Sequence, residues 1–307
     1  MIIYMNALYS NEYMPEQKNF VKLTETEQNI ITTTNYLAET YQSISNKNIT
    51  SLIRNHKFKI FLTSKATQIS ATMRNNAILA YAQFLNKNAD LWLHDGNNIL
   101  CSVLDEMSDP LQTFRNQKAL ENLGINTLPC YNLCNNDERF LDYYVNNYEY
   151  IIINGISGIS SKHLIPLLDH IWNKYLLDNS GKVKLKIHAV GVASLDILKR
   201  YPWHSCDSSI FTQLSVNGNI LTNNLDIVTI SNNSSKIHTQ GKHLSNLSHD
   251  EQERVFKYIS AANFEHERLA SSIESRTVFN LNMLKHLNKN FTYSDSSIFN
   301  GCNISLF

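Results

Sequence analysis

The sequence has little of what low-complexity, fibrous and disulfide-stapled proteins are made from. Of 307 residues only 9 are glycine and 5 are proline, which excludes collagen-like and low-complexity chains. The five cysteines are odd in number and scattered, so no disulfide framework is predicted. Cys130 and Cys134 lie close together, but no second Cys or His pair has finger-like spacing, and no metal site is expected.

Long apolar runs and an excess of one charge are also lacking. No run approaches the ~20 apolar residues that cross a bilayer, and residues 1–8 lack the charged start and cleavage pattern of a signal peptide. The sequence therefore predicts a cytoplasmic protein (in the host cytoplasm if phage-encoded) with no membrane partner. The formal net charge of +0 disfavours nucleic-acid binding by charge alone, although a local basic face is compatible with it.

Short apolar segments alternate with stretches of helical periodicity. Strands are predicted at residues 1–8, 57–63, 98–104, 125–131, 150–153, 183–190, 203–207 and, more weakly, 225–230. Helices are predicted at residues 24–45, 71–87, 109–123, 136–147 and 161–177. This α/β alternation favours a parallel sheet, and seven or eight strands favour a closed (β/α)8 TIM-like barrel over an open sheet. No G-x-G-x-x-G or P-loop motif follows a strand, and no cofactor is expected.

The chain is expected to divide near residue 230. Residues 1–230 are predicted to form the catalytic barrel, and residues 231–307 a polar loop and a C-terminal helical extension that closes it. The turn signal at Asn217-Gly218 could instead make the strand at 225–230 part of a hairpin. Residues 250–289 are predicted to be helical in two segments, whose basic residues are expected to be solvated. These residues are Arg254, Lys257, Arg268, Arg276 and Lys285.

Carboxylates end two of the predicted strands. Asp207, with Ser208 behind it, ends the strand at 203–207, while Asp105 and Glu106 end the strand at 98–104. The carboxyl ends of parallel strands share one edge, where α/β enzymes place their chemistry. Two carboxylates there suit glycosidic chemistry, in which one attacks or stabilises the anomeric carbon and the other handles protons. Helix capping is the alternative for each.

His188, Gly155 and Gly191 also lie at strand ends. His188 shares a strand face with Lys186, and a satisfied structural histidine is the alternative to a ligand-binding one. Gly155 and Gly191 leave room for the backbone to approach a flat ligand, although turn geometry would explain them equally well.

Several stretches, taken in order and spacing, resemble the queuine/archaeosine tRNA-ribosyltransferase superfamily. The likeness is to its short phage and bacterial members, which act as DNA-guanine transglycosylases. The stretches are LDE (104–106), DP (109–110), LPCY (128–131), YIIING (150–155), KIHAVGV (186–192) and YPWHSCDSS (201–209). The resemblance covers roughly residues 57 to 213.

The resemblance implies a barrel enzyme that exchanges guanine for a 7-deazaguanine base of the preQ0 type. It implies Asp207 as the nucleophile on C1′ and Asp105 as the carboxylate that reads the base edge. With the other strand-end residues, the substrate-binding candidates are Glu106, Asn154, Gly155, His188, Gly191 and Ser208. DNA is the expected partner and tRNA the alternative, while a homodimer or a paralogous partner subunit is left open.

Two departures from the family pattern bear on activity. Thr63 stands where the family has an Asp that assists proton handling, and Asn154 stands where a glycine is usual. The zinc-binding Cys/His cluster of the tRNA enzymes is absent, as in the DNA-acting members, which favours DNA. The proton role could pass to Asp105 or Glu106, the activity could have drifted, or the chain could be a non-catalytic nucleic-acid-binding paralogue or partner subunit. A barrel enzyme for a small metabolite is the remaining alternative.

Overall fold

The chain forms two compact units. A computed structural model describes residues 1–46, 49–64, 74–106, 109–135, 137–192, 194–222, 226–239, 241 and 243–290. The first unit contains Met1–Ser10 with Asn35–Ser208, and the second contains Asn11–Thr34 with residues 209–290. The parallel sheet belongs to the first unit, and the second is mainly helical. The predicted division at residue 230 stays a prediction.

The described residues form short strands and helices. The strands are β1 (Ile2–Asn6), β2 (Leu37–Thr40), β3 (Ile60–Thr63), β4 (His94–Asp95), β5 (Asn98–Ile99), β6 (Cys130–Asn132), β7 (Tyr150–Asn154), β8 (Lys186–Ala189), β9 (Ser205–Ser208), β10 (Asn219–Leu221) and β11 (Ile227–Thr229). The helices are α1 (Glu25–Thr32), α2 (Tyr41–Asn46), α3 (Ile49–Asn55), α4 (Arg74–Lys87), α5 (Pro110–Asn122), α6 (Glu138–Asn147), α7 (Ser161–Ile171), α8 (Leu195–Arg200), α9 (Ile210–Val216), α10 (His249–Ala261), α11 (His266–Ser271) and α12 (Ile273–Asn290).

Seven strands of the first unit form one curled parallel sheet of a mixed α/β architecture. Their order is β3-β2-β1-β9-β8-β7-β6, so the first strand of the chain lies beside β9. In this register Tyr4 is opposite Asp207. All four residues of β3 and four of the five residues of β7 are buried, as expected for parallel strands that are covered on both faces.

The seven named strands form a curled half-barrel sheet, and by themselves they do not close the predicted barrel. Of the predicted third strand, 98–104, only Asn98–Ile99 forms a named strand, β5. It pairs with β4 in an antiparallel hairpin whose turn contains Gly96. Residues 101 and 102 make single parallel bridges to both edges of the sheet. The Ser102 N–H donates to the Leu62 carbonyl over 2.8 Å, and the Leu128 N–H donates to the Cys101 carbonyl over 2.9 Å.

The predicted helix at residues 24–45 is a shorter helix followed by a strand. Thr24 caps α1, and the Glu27 carboxylate accepts the Thr24 N–H, so the expected capping box forms. The helix ends at Thr32, where the hydroxyls of Thr33 and Thr34 donate to carbonyls of the preceding turn. β-Branched residues with such contacts favour helix termination, and β2 follows.

In the second unit, β10 and β11 form an antiparallel hairpin and not the eighth barrel strand. The hairpin alternative is therefore confirmed, although Asn217 and Gly218 precede β10 and do not form its turn. The helical tail contains three segments, α10 to α12, where two were predicted, and α12 packs on α9 and α1. Within the described ranges, none of the helices is both long and apolar enough to traverse a bilayer.

Candidate active site

Strand register brings polar side chains onto one face of the curled sheet. His188 on β8 lies opposite Ser205 on β9, and Asn132 on β6 lies opposite Asn154 on β7. Residues paired across neighbouring strands point to the same side, as do residues two apart on one strand. Asp207 therefore shares the face of Ser205 and His188. Asn132 and Asn154 are the last residues of their strands, at the C-terminal edge of the sheet, where the sequence predicts the catalytic residues.

Asp207 is fully buried, and both of its carboxylate oxygens have polar neighbours. The Asn6 side-chain amide and the Gly191 backbone N–H each donate to Oδ1 over 2.9 Å. Oδ2 lies 3.4 Å from Nε2 of His188. Two fixed donors orient the carboxylate and hold Oδ1, while the contact of Oδ2 with His188 is longer.

His188 is completely buried, and both ring nitrogens face polar side chains of the same unit. Nδ1 lies 2.7 Å from Oγ of Ser205, which in turn lies 2.7 Å from the Tyr150 hydroxyl. Phe61 stacks on the imidazole, with ring centroids 4.0 Å apart. Burial raises the pKa of Tyr150, so its phenol stays neutral and can donate. A continuous chain of polar contacts thus joins Tyr150 to Asp207.

Asp105 is the second fully buried carboxylate. Oδ1 accepts from the Thr113 hydroxyl over 3.2 Å, while Oδ2 accepts from the amides of Asn132 over 3.2 Å and Asn154 over 2.9 Å. Burial raises the pKa of Asp105, and the hydrogen bonds that it accepts oppose this shift. A carboxyl with raised proton affinity is suited to exchange a proton with a bound base.

Asn154 and Gly155 shape the surroundings of Asp105. Oδ1 of Asn154 accepts the Gly155 N–H over 2.7 Å, which directs the amide nitrogen toward Asp105. Gly155 has φ of +81°, and a Cβ there would lie 2.7 Å from Oδ1 of Asn132. That oxygen also accepts the Cys134 N–H over 3.0 Å. A side chain at position 155 would therefore displace a donor of Asp105.

The other candidates lie around these two carboxylates. The Glu106 N–H donates to the hydroxyl of Thr113, which donates to Asp105. Gly191, at φ of +71°, supplies its N–H to Asp207. Ser208 is on the opposite side of β9 from Asp207, and its hydroxyl donates to the Val192 carbonyl.

The end of β3 carries no carboxylate, as the sequence indicates. Thr63 is buried, and its hydroxyl donates to the Glu39 carbonyl over 3.4 Å. The Glu39 carboxylate, on the neighbouring strand, accepts from the N–H groups of Tyr9 and Ser10. Across the described ranges, no group of three or more His, Cys, Asp or Glu side chains is arranged to hold a metal ion.

Sequence reasoning missed Asn6, Asn132, Tyr150 and Ser205 as parts of the site. Asn132 directly follows the predicted strand 125–131, so a search for polar residues at strand ends would have found it, whereas Asn6 lies inside the predicted strand 1–8. Ser205 lies two residues before Asp207, which places it on the same strand face. Tyr150 has no such signal, because its role depends on which strands are neighbours.

No protein-family model matches the chain, and no curated protein matches its sequence. The resemblance to the transglycosylase superfamily therefore stays a prediction, and the geometry of the site has to support any functional proposal.

Proposed function

We propose that the chain is a guanine transglycosylase that exchanges guanine in DNA for a 7-deazaguanine base of the preQ0 type. The observation that carries the proposal is the Asp207 carboxylate. One of its oxygens is held by Asn6 and Gly191, while the other stands beside His188 at the C-terminal end of a parallel strand. An oriented carboxylate at this edge is suited to nucleophilic attack on a sugar carbon.

The proposal includes a TIM-like (β/α)8 barrel in which the segment at residues 101–102 acts as the eighth strand. Its bridges to β3 and to Leu128, just before β6, support this assignment. Asp207 and Asp105 would then both lie at the C-terminal face, which is the catalytic face of such barrels. A cytoplasmic location is part of the same proposal.

The exchange takes two displacement steps on one carbon. Oδ2 of Asp207 attacks C1′ of the target deoxyribose, and the C1′–N9 bond breaks with its electron pair leaving on guanine, which takes up the proton that Asp105 holds. The result is a glycosyl ester on Asp207. N9 of the incoming 7-deazaguanine then attacks C1′, releases the carboxylate and gives up its proton. The target nucleotide must leave the base stack to reach the site.

Asp105 is proposed to bind the base and to handle the proton. Its carboxylate already accepts hydrogen bonds from Thr113, Asn132 and Asn154, and the Cys130 thiol is a fourth donor. A carboxylate has about four acceptor positions, so a guanine-type edge would replace one of these donors. The raised pKa of Asp105 favours uptake of the proton that the incoming base gives up.

His188 is proposed as a positioning residue for Asp207. Its contact with Ser205, itself in contact with Tyr150, restrains the ring, and Phe61 stacks on it. The hydrogen bond between Nδ1 and Ser205 then determines whether Nε2, which faces Asp207, carries the proton, as in other oriented histidines.

A non-catalytic nucleic-acid-binding paralogue is the second candidate, and two observations favour it. Thr63 leaves the end of β3 without the acid that the family uses there. Asp207 is also 0% exposed, so a substrate can reach it only after covering residues move. This candidate predicts DNA binding without base exchange.

The test is incorporation of labelled guanine and of labelled preQ0-type base into DNA and into tRNA. Asp207→Asn is compared with the wild type and with Asp142→Asn, an exposed control on α6. Label that enters DNA only when Asp207 is intact supports the proposal, whereas label in tRNA alone changes the substrate. DNA binding without label in either nucleic acid supports the non-catalytic candidate.

A further inference from the structure

The second unit contains a cavity of about 310 Å³ beside a buried arginine. Arg276 on α12 is 3% exposed and belongs to the wall of this cavity. The sequence predicts that Arg276 and Arg268 are both solvated, but Arg268 pairs with Glu27 at 2.7 Å and Arg276 is buried. The two arginines therefore require separate explanations.

Arg276 is held by backbone carbonyls and not by a carboxylate. Nε donates to Ser215 over 3.1 Å, and Nη1 donates to Leu269 over 2.6 Å and to Ala270 over 3.3 Å. Within the part of the chain that the structure describes, Nη2 has no hydrogen-bond partner and Arg276 has no ion pair. The nearby Glu274 makes its contact ion pair with Lys22 and acts on Arg276 only at longer range. Burial lowers the pKa of Arg276 and Glu274 opposes this shift, yet an arginine stays charged, so the guanidinium is a buried cation without a carboxylate in contact.

The cavity wall adds neutral hydrogen-bonding groups and no acid. Ten described residues line it, and Arg276 is the ionisable one among them. Oγ of Ser231 accepts the Asn233 N–H, and Oγ of Ser234 accepts the Lys236 N–H, so both hydroxyl protons are left for a ligand. A guanidinium nitrogen with two N–H groups, beside hydroxyl donors, matches the several acceptor oxygens of a phosphate.

We propose that this cavity is a binding site for a phosphate group, with Arg276 as its charged ligand and Ser231 and Ser234 as hydroxyl donors. The volume is at the lower end for small-ligand sites and accommodates a phosphate with the group that carries it. The phosphate could belong to a nucleic-acid backbone or to a free ion or small molecule. The proposal does not rest on base exchange, because every residue that forms the site lies in the second unit and none belongs to the candidate active site.

The test is calorimetric titration of the full chain with inorganic phosphate. Asn233 and Asn232 are adjacent and exposed, but only Asn233 is among the residues that line the cavity. Asn233→Asp should weaken phosphate binding by roughly tenfold or more, because it places a like charge in the wall. Asn232→Asp, the matched control, adds the same charge beside the cavity and not in its wall, so it should weaken binding clearly less than Asn233→Asp does. Arg276→Gln should abolish binding, and thermal melts report whether that buried variant folds.

Displacement of bound phosphate by single-stranded oligothymidylate would identify a backbone phosphate as the ligand. Phosphate that stays bound in its presence, and is lost in Asn233→Asp, would identify a free phosphate. The proposal is overturned if the wild type binds neither probe at millimolar concentration. It is also overturned if Asn233→Asp binds as the wild type does. Neither result would bear on base exchange at Asp207.

Discussion

Asn6 and Asp207 are 201 residues apart, and the Asn6 amide donates a 2.9 Å hydrogen bond to Oδ1 of Asp207. The contact exists because β1 and β9 are neighbours in the sheet, so two distant strand ends meet. Together with the Gly191 N–H, it determines which carboxylate oxygen faces His188. The orientation of the proposed nucleophile is therefore a product of sheet topology.

Asn6→Ala should slow base exchange by about tenfold with little change in KM, because Asp207 loses one of its two orienting donors. The variant should also lose about 1–3 kcal/mol of unfolding free energy, since the buried carboxyl of Asp207 loses a hydrogen-bond donor. Single-turnover rates and urea unfolding measure the two effects. Asn173→Ala, at an exposed position of the same unit, should change neither. An unchanged rate of base exchange in Asn6→Ala would show that Asn6 does not orient Asp207 for the reaction.

Ser205→Ala should disturb His188 more than Tyr150→Phe does. Ser205 lies between the Tyr150 hydroxyl and Nδ1 of His188, so its loss leaves two buried polar groups without a partner, at a cost of about 1–3 kcal/mol. Tyr150→Phe removes only the outer contact. Nitrogen-15 shifts of the His188 ring should reveal a change of tautomer in Ser205→Ala. Identical spectra in wild type and Ser205→Ala would show that Ser205 does not select the tautomer.

Stability should depend on the ionisation of Asp105. Burial raises the pKa of Asp105 in the folded state above its ordinary value of 3.8. At any pH between 3.8 and the raised pKa, the folded state therefore binds more protons than the unfolded state. The unfolding free energy that Asp105 contributes is thus greatest at acid pH and falls as the pH rises through that window. Asp105→Asn lacks this titration. In urea unfolding from pH 3.5 to 7, the unfolding free energy of the wild type minus that of Asp105→Asn should therefore fall as the pH rises. A rise of this difference with pH would contradict the prediction.

Gly155→Ala and Gly158→Ala separate backbone strain from displacement of Asn132. Both glycines have positive φ, but a Cβ at Gly158 meets nothing within 4 Å, whereas one at Gly155 meets Oδ1 of Asn132. Gly158→Ala should cost about 1 kcal/mol, and Gly155→Ala about 1–3 kcal/mol more. Gly155→Ala should also weaken base binding through Asp105. Equal losses of unfolding free energy in the two variants would show that the Asn132 side chain moves aside without a measurable cost in stability.

The local pattern predicts the positions of the carboxylates better than it predicts their partners. Asp207 and Asp105 end apolar segments, and the structure brings both to the C-terminal ends of parallel strands or bridges. Strand β2 was missed because Leu37–Thr40 is short, contains Glu39 and follows a well-capped helix start. The bond between Asn6 and Asp207 could not be predicted, since no local pattern encodes the order of strands in a sheet.

The spacing of residues in the sequence likewise does not predict which charged side chains are buried. Arg268 and Arg276 lie in neighbouring helices, yet Arg268 pairs with Glu27 and Arg276 donates to backbone carbonyls. The difference depends on the packing of α12 against α9, which brings Arg276 to the Ser215 carbonyl. Spacing alone predicts a common solvated face for both.

The most direct test of the account is a search for a covalent adduct on Asp207. Labelled single-stranded DNA is mixed with excess protein in the absence of an incoming base, quenched and separated under denaturing conditions. The account predicts a protein–DNA adduct that maps to the peptide containing Asp207. It also predicts that the adduct is absent in Asp207→Asn and present in Asp142→Asn. DNA that binds to the wild type without any adduct would contradict the nucleophilic role of Asp207 and favour the non-catalytic candidate.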